Sequence, residues 1–223
     1  MMEITERHII IFSIVTFVIA IGLFIYLPFI GIRGHFANTK KQPLGTKEPF
    51  IATTVDIEKL CEVDVSENKW KYIVLHHSAT DEGNAYKFDR YHRKEKKWKN
   101  GLAYHFVIGN GKGSREGEIE VGNRWKRQIH GAHTANKDIN RVSIGICLVG
   151  NFEKDYEPAY NQLESLVSLV NYLAKRYNIS KSNIIMHNQV VQKNTACPGK
   201  NFPYEKLMER IASLQSARTY RGL

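Results

Sequence analysis

Two segments that lie far apart in the chain carry side chains suited to the same metal ion, which constrains the fold more than any other feature. The apolar run Tyr72–Leu75 leads directly into His76 and His77, whereas Cys197 follows His187 at a distance of ten residues. Histidine and cysteine are preferred zinc ligands, and three protein ligands leave one position open for water. A fold that brings the two segments together would therefore hold a catalytic metal centre.

The two adjacent histidines are not equivalent. Successive residues of a strand point to opposite faces, so only one of His76 and His77 can bind the ion, and the other packs or forms a hydrogen bond. A single histidine is more often structural, but the second histidine and the cysteine at other element ends favour a metal site. For Cys197 taken alone, a buried free thiol before a turn is the alternative.

Strand and helix patterns alternate from Trp70 onward, which predicts an α/β domain with helices packed on a central sheet. Short β-branched or apolar runs predict strands at Tyr72–Leu75, Tyr104–Ile108, Ile119–Val121, Ser143–Val149 and Ile184–Met186. Helical spacing of apolar residues predicts helices at Tyr86–Trp98, Pro158–Tyr177 and Tyr204–Ala217.

The N-terminal region contains a long uncharged segment. Residues 9–32 form a run of 24 residues without a charged side chain, and a helix of that length spans a bilayer core of roughly 30 Å. No Ala-x-Ala cleavage pattern follows it. We therefore predict a flank at 1–8, an uncleaved single-pass signal anchor at 9–32, a linker and lead-in at 33–66, and the globular domain at 67–223.

The orientation of this anchor is left open by its flanking charges. Arg7 precedes the span together with two glutamates, whereas Arg33, Lys40, Lys41 and Lys47 follow it. The positive-inside rule would place the C-terminal domain in the cytoplasm, but long translocated domains follow that rule poorly.

The formal net charge of +10 indicates an anionic partner, such as a cell-wall polymer, membrane headgroups or nucleic acid. Much of the excess lies between Lys87 and Lys99, where a solvated helix face is the alternative to an anion-binding surface. The three cysteines are too far apart for a disulfide framework. Cys147 lies in an apolar strand-like run and is expected to be a small core residue.

Three further residues are candidates for the same site. Tyr104 begins a predicted strand, and its hydroxyl could donate to the oxygen of a tetrahedral intermediate, although a tyrosine anchored in the core is more common. His133 and Asn140 precede the strand at Ser143, so they are expected in a loop at the edge of the sheet. There His133 would contact substrate or cap a turn.

Taken together, these segments resemble the zinc-dependent N-acetylmuramoyl-L-alanine amidases of the peptidoglycan-recognition-protein type, which include phage amidase endolysins. The resemblance covers roughly Trp70 to Pro203, and its matching pieces are 75–80, 103–108, 131–134, 143–150, His187 and 195–199. Such a family implies a mixed central β-sheet flanked by helices, with zinc in a surface groove.

The resemblance also implies roles for individual residues. It assigns His76, His187 and Cys197 as zinc ligands, and Tyr104 and Thr195 as catalytic residues. Thr195 occupies a position where some family members carry lysine. His77, His133 and Asn140 are then expected to contact the substrate.

The implied function is zinc-dependent hydrolysis of the amide bond between N-acetylmuramic acid and L-alanine in peptidoglycan. A non-catalytic peptidoglycan sensor is the alternative, and a basic nucleic-acid-binding domain is a third possibility motivated by charge alone. With peptidoglycan as substrate, we expect a monomer that binds no nucleic acid and is anchored in the cytoplasmic membrane, with its catalytic domain outside.

Overall fold

The computed structural model describes residues 54–154, 156–190 and 194–219. The predicted membrane span at 9–32 lies outside these ranges. Within them, no helix combines the length and the hydropathy needed to cross a bilayer.

The centre of the domain is a five-stranded mixed sheet with the strand order β3-β2-β4-β1-β5. Strand β1 is parallel to β4 and β5, β2 is parallel to β4, and β3 is antiparallel to β2. The strands are β1 Tyr72–His77, β2 Phe106–Ile108, β3 Ile119–Val121, β4 Ser143–Leu148 and β5 Ile184–Met186. This arrangement confirms the predicted mixed α/β fold.

Helices flank the sheet and supply its parallel crossovers, as parallel strands require. They are α1 Thr54–Leu60, α2 Ala85–Lys94, α3 Asn123–Lys126, α4 Lys137–Val142, α5 Tyr160–Arg176 and α6 Tyr204–Thr219, with 3₁₀ turns at Lys181–Asn183 and His187–Gln189. The apolar stripe of α5 packs with α1 and α6 over one face of the sheet. That main core includes Ile73, Leu75, Ile144, Ile146, Leu166, Leu169, Leu173, Leu207 and Ile211.

The opposite face of the sheet carries the candidate site. A smaller apolar cluster forms there around Leu102, Val107 and Cys147, with Phe88 of α2 packed against it. The sheet register pairs His76 with Cys147. Because strand residues alternate between faces, β1 presents His76 on this side, whereas His77 contacts the ring of Phe152, a member of the main core.

Several element ends differ from the predictions. Helix α2 ends at Lys94 rather than Trp98, because the chain turns back through Lys97 (φ 56°) and Trp98 stacks on His92 at 5.0 Å between ring centroids. Strand β1 continues through His77, since both histidines still pair with β4. Strand β2 begins at Phe106, two residues later than predicted.

Candidate metal centre

The three predicted ligands come together at one edge of the sheet. One ligand atom each from His76, His187 and Cys197 lies within 4.8 Å of the others. Strands β1 and β5 are parallel neighbours, so His76 near the end of β1 and His187 directly after β5 reach the same edge. The Nδ1 atom of His76 lies 3.6 Å from the Sγ atom of Cys197.

Backbone hydrogen bonds fix the position of Cys197. The N–H of Asn188 donates to its carbonyl oxygen at 2.8 Å, and its own N–H donates to the hydroxyl oxygen of Thr195 at 3.2 Å. The N–H of His77 points at its sulfur, with 3.4 Å between the nitrogen and Sγ. The sulfur is therefore held by neighbours that do not depend on a cation.

Burial disfavours the charged forms of both Cys197 and His76, so a thiolate at Cys197 would need a bound cation beside it. Burial raises the pKa of the Cys197 thiol to about 12, against the opposing effect of the His77 N–H. The pKa of His76 lies well below its usual value, first because of burial and then because of the neighbouring His133, His187 and His77. A neutral imidazole is ready to coordinate, and a bound metal would favour the thiolate. Two nitrogens and one sulfur fit a catalytic zinc site.

Tyr104 stands beside the three ligands. Its ring centroid is 5.2 Å from that of His76. Burial, followed by the Cys147 and Cys197 thiols, raises the pKa of Tyr104 well above its usual value. Its hydroxyl therefore keeps its proton and acts as a hydrogen-bond donor throughout the physiological range.

His133 and His77 lie on opposite sides of β1, and only His133 faces the candidate centre. The Nδ1 atom of His133 lies 3.0 Å from the Nε2 atom of His76, and His133 is only 6% exposed. His77 accepts a hydrogen bond from the backbone N–H of Phe152 at its Nδ1 atom, 3.1 Å away, on the other face of β1. The structure thus brings His133 to the candidate centre and directs the His77 ring away from it.

Asn140 lies in helix α4 and not in the predicted loop, because the side chain of Asn136 caps a helix that begins at Lys137. Its side-chain oxygen accepts from the backbone N–H of Thr134 and its amide donates back to the Thr134 carbonyl, at 3.1 and 2.9 Å. It also lines an open cavity of about 410 Å³ whose other lining residues include Trp98, His130, Lys137 and Arg141.

Sequence reasoning missed two neighbours of Tyr104. Cys147 is a small buried core residue, as predicted, but it also faces the site, where the pKa of Tyr104 responds to its thiol. His92 of α2 lies with its ring centroid 6.2 Å from that of Tyr104 and accepts from the Ala103 N–H. Only the strand register and the helix position reveal these contacts.

Comparisons with known proteins agree with this fold. A family model described as N-acetylmuramoyl-L-alanine amidase matches residues 66–200. The endolysin of Escherichia phage T7 is 33% identical over 131 residues, which are 56% of this chain and 75% of the endolysin.

Solved structures show the same similarity. The N-acetylmuramoyl-L-alanine amidase LysC from Clostridium intestinale URNW aligns with a TM-score of 0.56 and 30% identity, over 65% of this chain and 87% of LysC. Peptidoglycan recognition protein LE, solved with the monomeric peptidoglycan fragment tracheal cytotoxin, aligns with a TM-score of 0.51 and 28% identity, over 63% and 80% of the two chains.

Proposed function

The chain belongs to the N-acetylmuramoyl-L-alanine amidase family, and we propose that it hydrolyses its peptidoglycan amide with the help of a zinc ion held by His76, His187 and Cys197. The observation that carries this proposal is the convergence of their ligand atoms to within 4.8 Å of one another. The donor set of two nitrogens and one sulfur fits zinc, and the lowered pKa of His76 leaves its imidazole neutral and able to bind a metal.

When bound, zinc supplies Lewis acidity toward the scissile carbonyl and lowers the pKa of water to near neutrality. The residues around it hold the ligands in place. The backbone N–H groups of His77 and Asn188 fix the sulfur and the carbonyl of Cys197, so little rearrangement is needed when the ion binds.

Tyr104 is proposed to stabilise the negative charge that develops on the carbonyl oxygen during attack. Its raised pKa keeps the hydroxyl protonated, so that it donates rather than repels. Thr195 is proposed to act mainly through position, because its hydroxyl oxygen accepts the backbone N–H of Cys197. The threonine thereby sets the direction of the third ligand.

The cavity beside His133 is proposed to receive part of the peptide stem. Lys137 and Arg141 line it and provide positive charge for a carboxylate, and Asn140 shapes its wall. The geometry gives no support to the predicted contact between His77 and substrate, because the residue is buried and its Nδ1 atom and backbone N–H are already bonded to Phe152 and Cys197.

A role in binding peptidoglycan without cleaving it receives less support. The similarity to peptidoglycan recognition protein LE is compatible with such a role. However, the complete ligand set and the adjacent Tyr104 hydroxyl provide what hydrolysis needs.

We also propose that residues 9–32 anchor the enzyme in the cytoplasmic membrane with the catalytic domain outside, as a monomer that binds no nucleic acid. This location would give the domain access to the intact peptidoglycan layer. Protease treatment of spheroplasts should degrade the domain, and full protection in intact membranes would contradict the proposed orientation. Light scattering of the detergent-solubilised chain and a salt-controlled DNA-binding assay test the other two points.

Removal and return of the metal test the zinc proposal directly. After treatment of the full chain with a chelator, release of new amino termini from purified peptidoglycan should stop, and Zn²⁺ should restore it. Mg²⁺ is the control, because it prefers octahedral oxygen ligands. Full activity of a chain shown to contain no metal would contradict the proposal.

A further inference from the structure

His133 forms a buried hydrogen bond with one of the proposed zinc ligands. Its Nδ1 atom lies 3.0 Å from the Nε2 atom of His76. The two residues are 6% and 1% exposed, respectively. Solvent therefore competes little for this contact, and each ring nitrogen needs a partner inside the protein.

The geometry determines which ring nitrogen donates and which accepts in His76 and in His133. The Nδ1 atom of His76 lies on the side of Cys197, 3.6 Å from Sγ, and a coordinating nitrogen carries no proton. The single N–H of the His76 ring is then at Nε2, so the Nδ1 atom of His133 must accept it. The proton of His133 is then at Nε2, which lies 3.3 Å from the hydroxyl oxygen of Ser143.

We propose that His133 is a positioning residue that holds the His76 ring in the tautomer and orientation required for zinc binding, with Ser143 fixing His133 in turn. This inference rests on the proposed zinc dependence. Ligating histidines commonly donate their second N–H to a carboxylate, a carbonyl or water. Here a second imidazole is the acceptor, so a series of hydrogen bonds runs from Ser143 on β4 through His133 to the proposed ligand His76.

Two glycines make room for the His133 ring. A Cβ atom added at Gly145 or at Gly131 would lie 2.3 Å from the Cδ2 atom of His133. Gly145 is also locked in place, because its N–H donates to the Nδ1 atom of His105 at 2.9 Å. The ring therefore fits tightly between β4 and the loop that precedes α4, which limits its rotation.

The Tyr104 ring lies against another side of the His133 ring. It stacks on His133 with an interplanar angle of 24° and 6.5 Å between centroids. His133 thus lies behind both His76 and Tyr104, which explains its burial and assigns it to supporting the centre from within.

Two amide substitutions test the two hydrogen bonds of His133 separately, the one to His76 and the one to Ser143. In His133→Asn the side-chain oxygen can occupy the place of Nδ1 and accept from His76, whereas in His133→Gln it reaches the place of Nε2 and leaves His76 without an acceptor. The zinc affinity of the metal-free full chain is measured by competition with a chelator of known affinity. We expect a loss of about 10- to 100-fold for His133→Gln and a much smaller loss for His133→Asn.

A purely structural role would lower stability in both variants without this difference in zinc affinity. Equal zinc affinities of His133→Gln and the wild type would overturn the inference while leaving the zinc proposal intact. A wild-type chain that is fully active without zinc would overturn both.

A second measurement keeps the inference testable if His133→Gln does not fold. Nitrogen chemical shifts of the histidine rings distinguish the two tautomers in the metal-free wild-type chain. We expect the proton of His76 at Nε2. A proton at Nδ1 would overturn the inference, because the orientation would then not exist before zinc binds.

Discussion

The backbone N–H of Asn188 donates to the carbonyl oxygen of Cys197 at 2.8 Å, so the turn that carries His187 is joined to the turn that carries the third proposed ligand. The separation of the second and third ligands is thus fixed by the main chain.

Gly199→Ala should move the turn that holds Cys197. At this position φ is +104°, and an added Cβ would lie 2.3 Å from the carbonyl carbon of Phe152. We expect the free energy of unfolding to fall by about 2 kcal/mol or more, with weaker zinc binding, as measured by urea unfolding and chelator competition.

Gly111→Ala is the matched control, because φ is also positive there (+87°) but the nearest atom to the added Cβ is 3.8 Å away. Its free energy of unfolding should fall by only about 1–2 kcal/mol, the cost of a positive φ for alanine, and its zinc affinity should stay the same. Equal zinc affinity in both variants would contradict the proposed role of the close approach at Gly199.

Tyr104→Phe should reduce kcat by about 10²- to 10³-fold, because it removes one hydrogen-bond donor to the developing oxyanion. The zinc affinity should stay the same, since the hydroxyl is not a proposed ligand. Tyr91→Phe, which alters a tyrosine that is 51% exposed on α2, serves as control. If Tyr104→Phe kept the wild-type kcat, the tyrosine would have no part in stabilising the transition state.

Thr195→Val should lower activity roughly fivefold, because the N–H of Cys197 loses its acceptor at a cost of about 1 kcal/mol. Thr195→Ser keeps the hydroxyl and should restore most of the loss. Steady-state rates on purified peptidoglycan provide the test. Identical rates for the valine and serine variants would exclude the hydroxyl as the functional group.

Acid should destabilise the fold through buried neutral histidines. Burial lowers the pKa of His105 to about 3, whereas an unfolded histidine has a pKa of about 6.5. Between these values the unfolded chain binds a proton that the folded chain does not. The stabilisation is therefore fully present above about pH 6.5 and is lost as the pH falls, by up to about 1.4 kcal/mol per pH unit.

His105→Leu isolates this contribution. At pH 7.5 the variant should be less stable, since the Gly145 N–H and the Ile129 carbonyl lose their partner. Urea unfolding at pH 7.5 and pH 4.5 should show a smaller difference from the wild type at the lower pH. A difference that does not change with pH would contradict the lowered pKa of His105.

The sequence was enough to predict the sheet and the segments that carry the ligands, because His76 and His187 follow apolar strands and Cys197 directly precedes a Pro-Gly turn. The choice of His76 over His77 came from the resemblance to amidases. Parallel strands then bring His76 and His187 to one edge almost by necessity. The resemblance to amidases supplied Tyr104 and Thr195, which no periodicity could assign.

Contacts that depend on packing between distant segments could not be predicted. The bond between His133 and His76 requires the exact path of the loop before α4, and the position of Cys147 beside His76 requires the strand register. Helix α2 ends early because Trp98 folds back on His92, a tertiary contact that outweighs the helical pattern of the following lysines.

Zinc content and amide hydrolysis of Cys197→Ala, measured on the same preparations, test the central claim most directly. Cys61→Ala is the matched control, because Cys61 is also buried with a pKa raised to about 12 but belongs to the main core. We predict that Cys197→Ala loses both bound zinc and the release of new amino termini from peptidoglycan, whereas Cys61→Ala keeps both. Wild-type hydrolysis by a Cys197→Ala protein that contains no zinc would contradict the account.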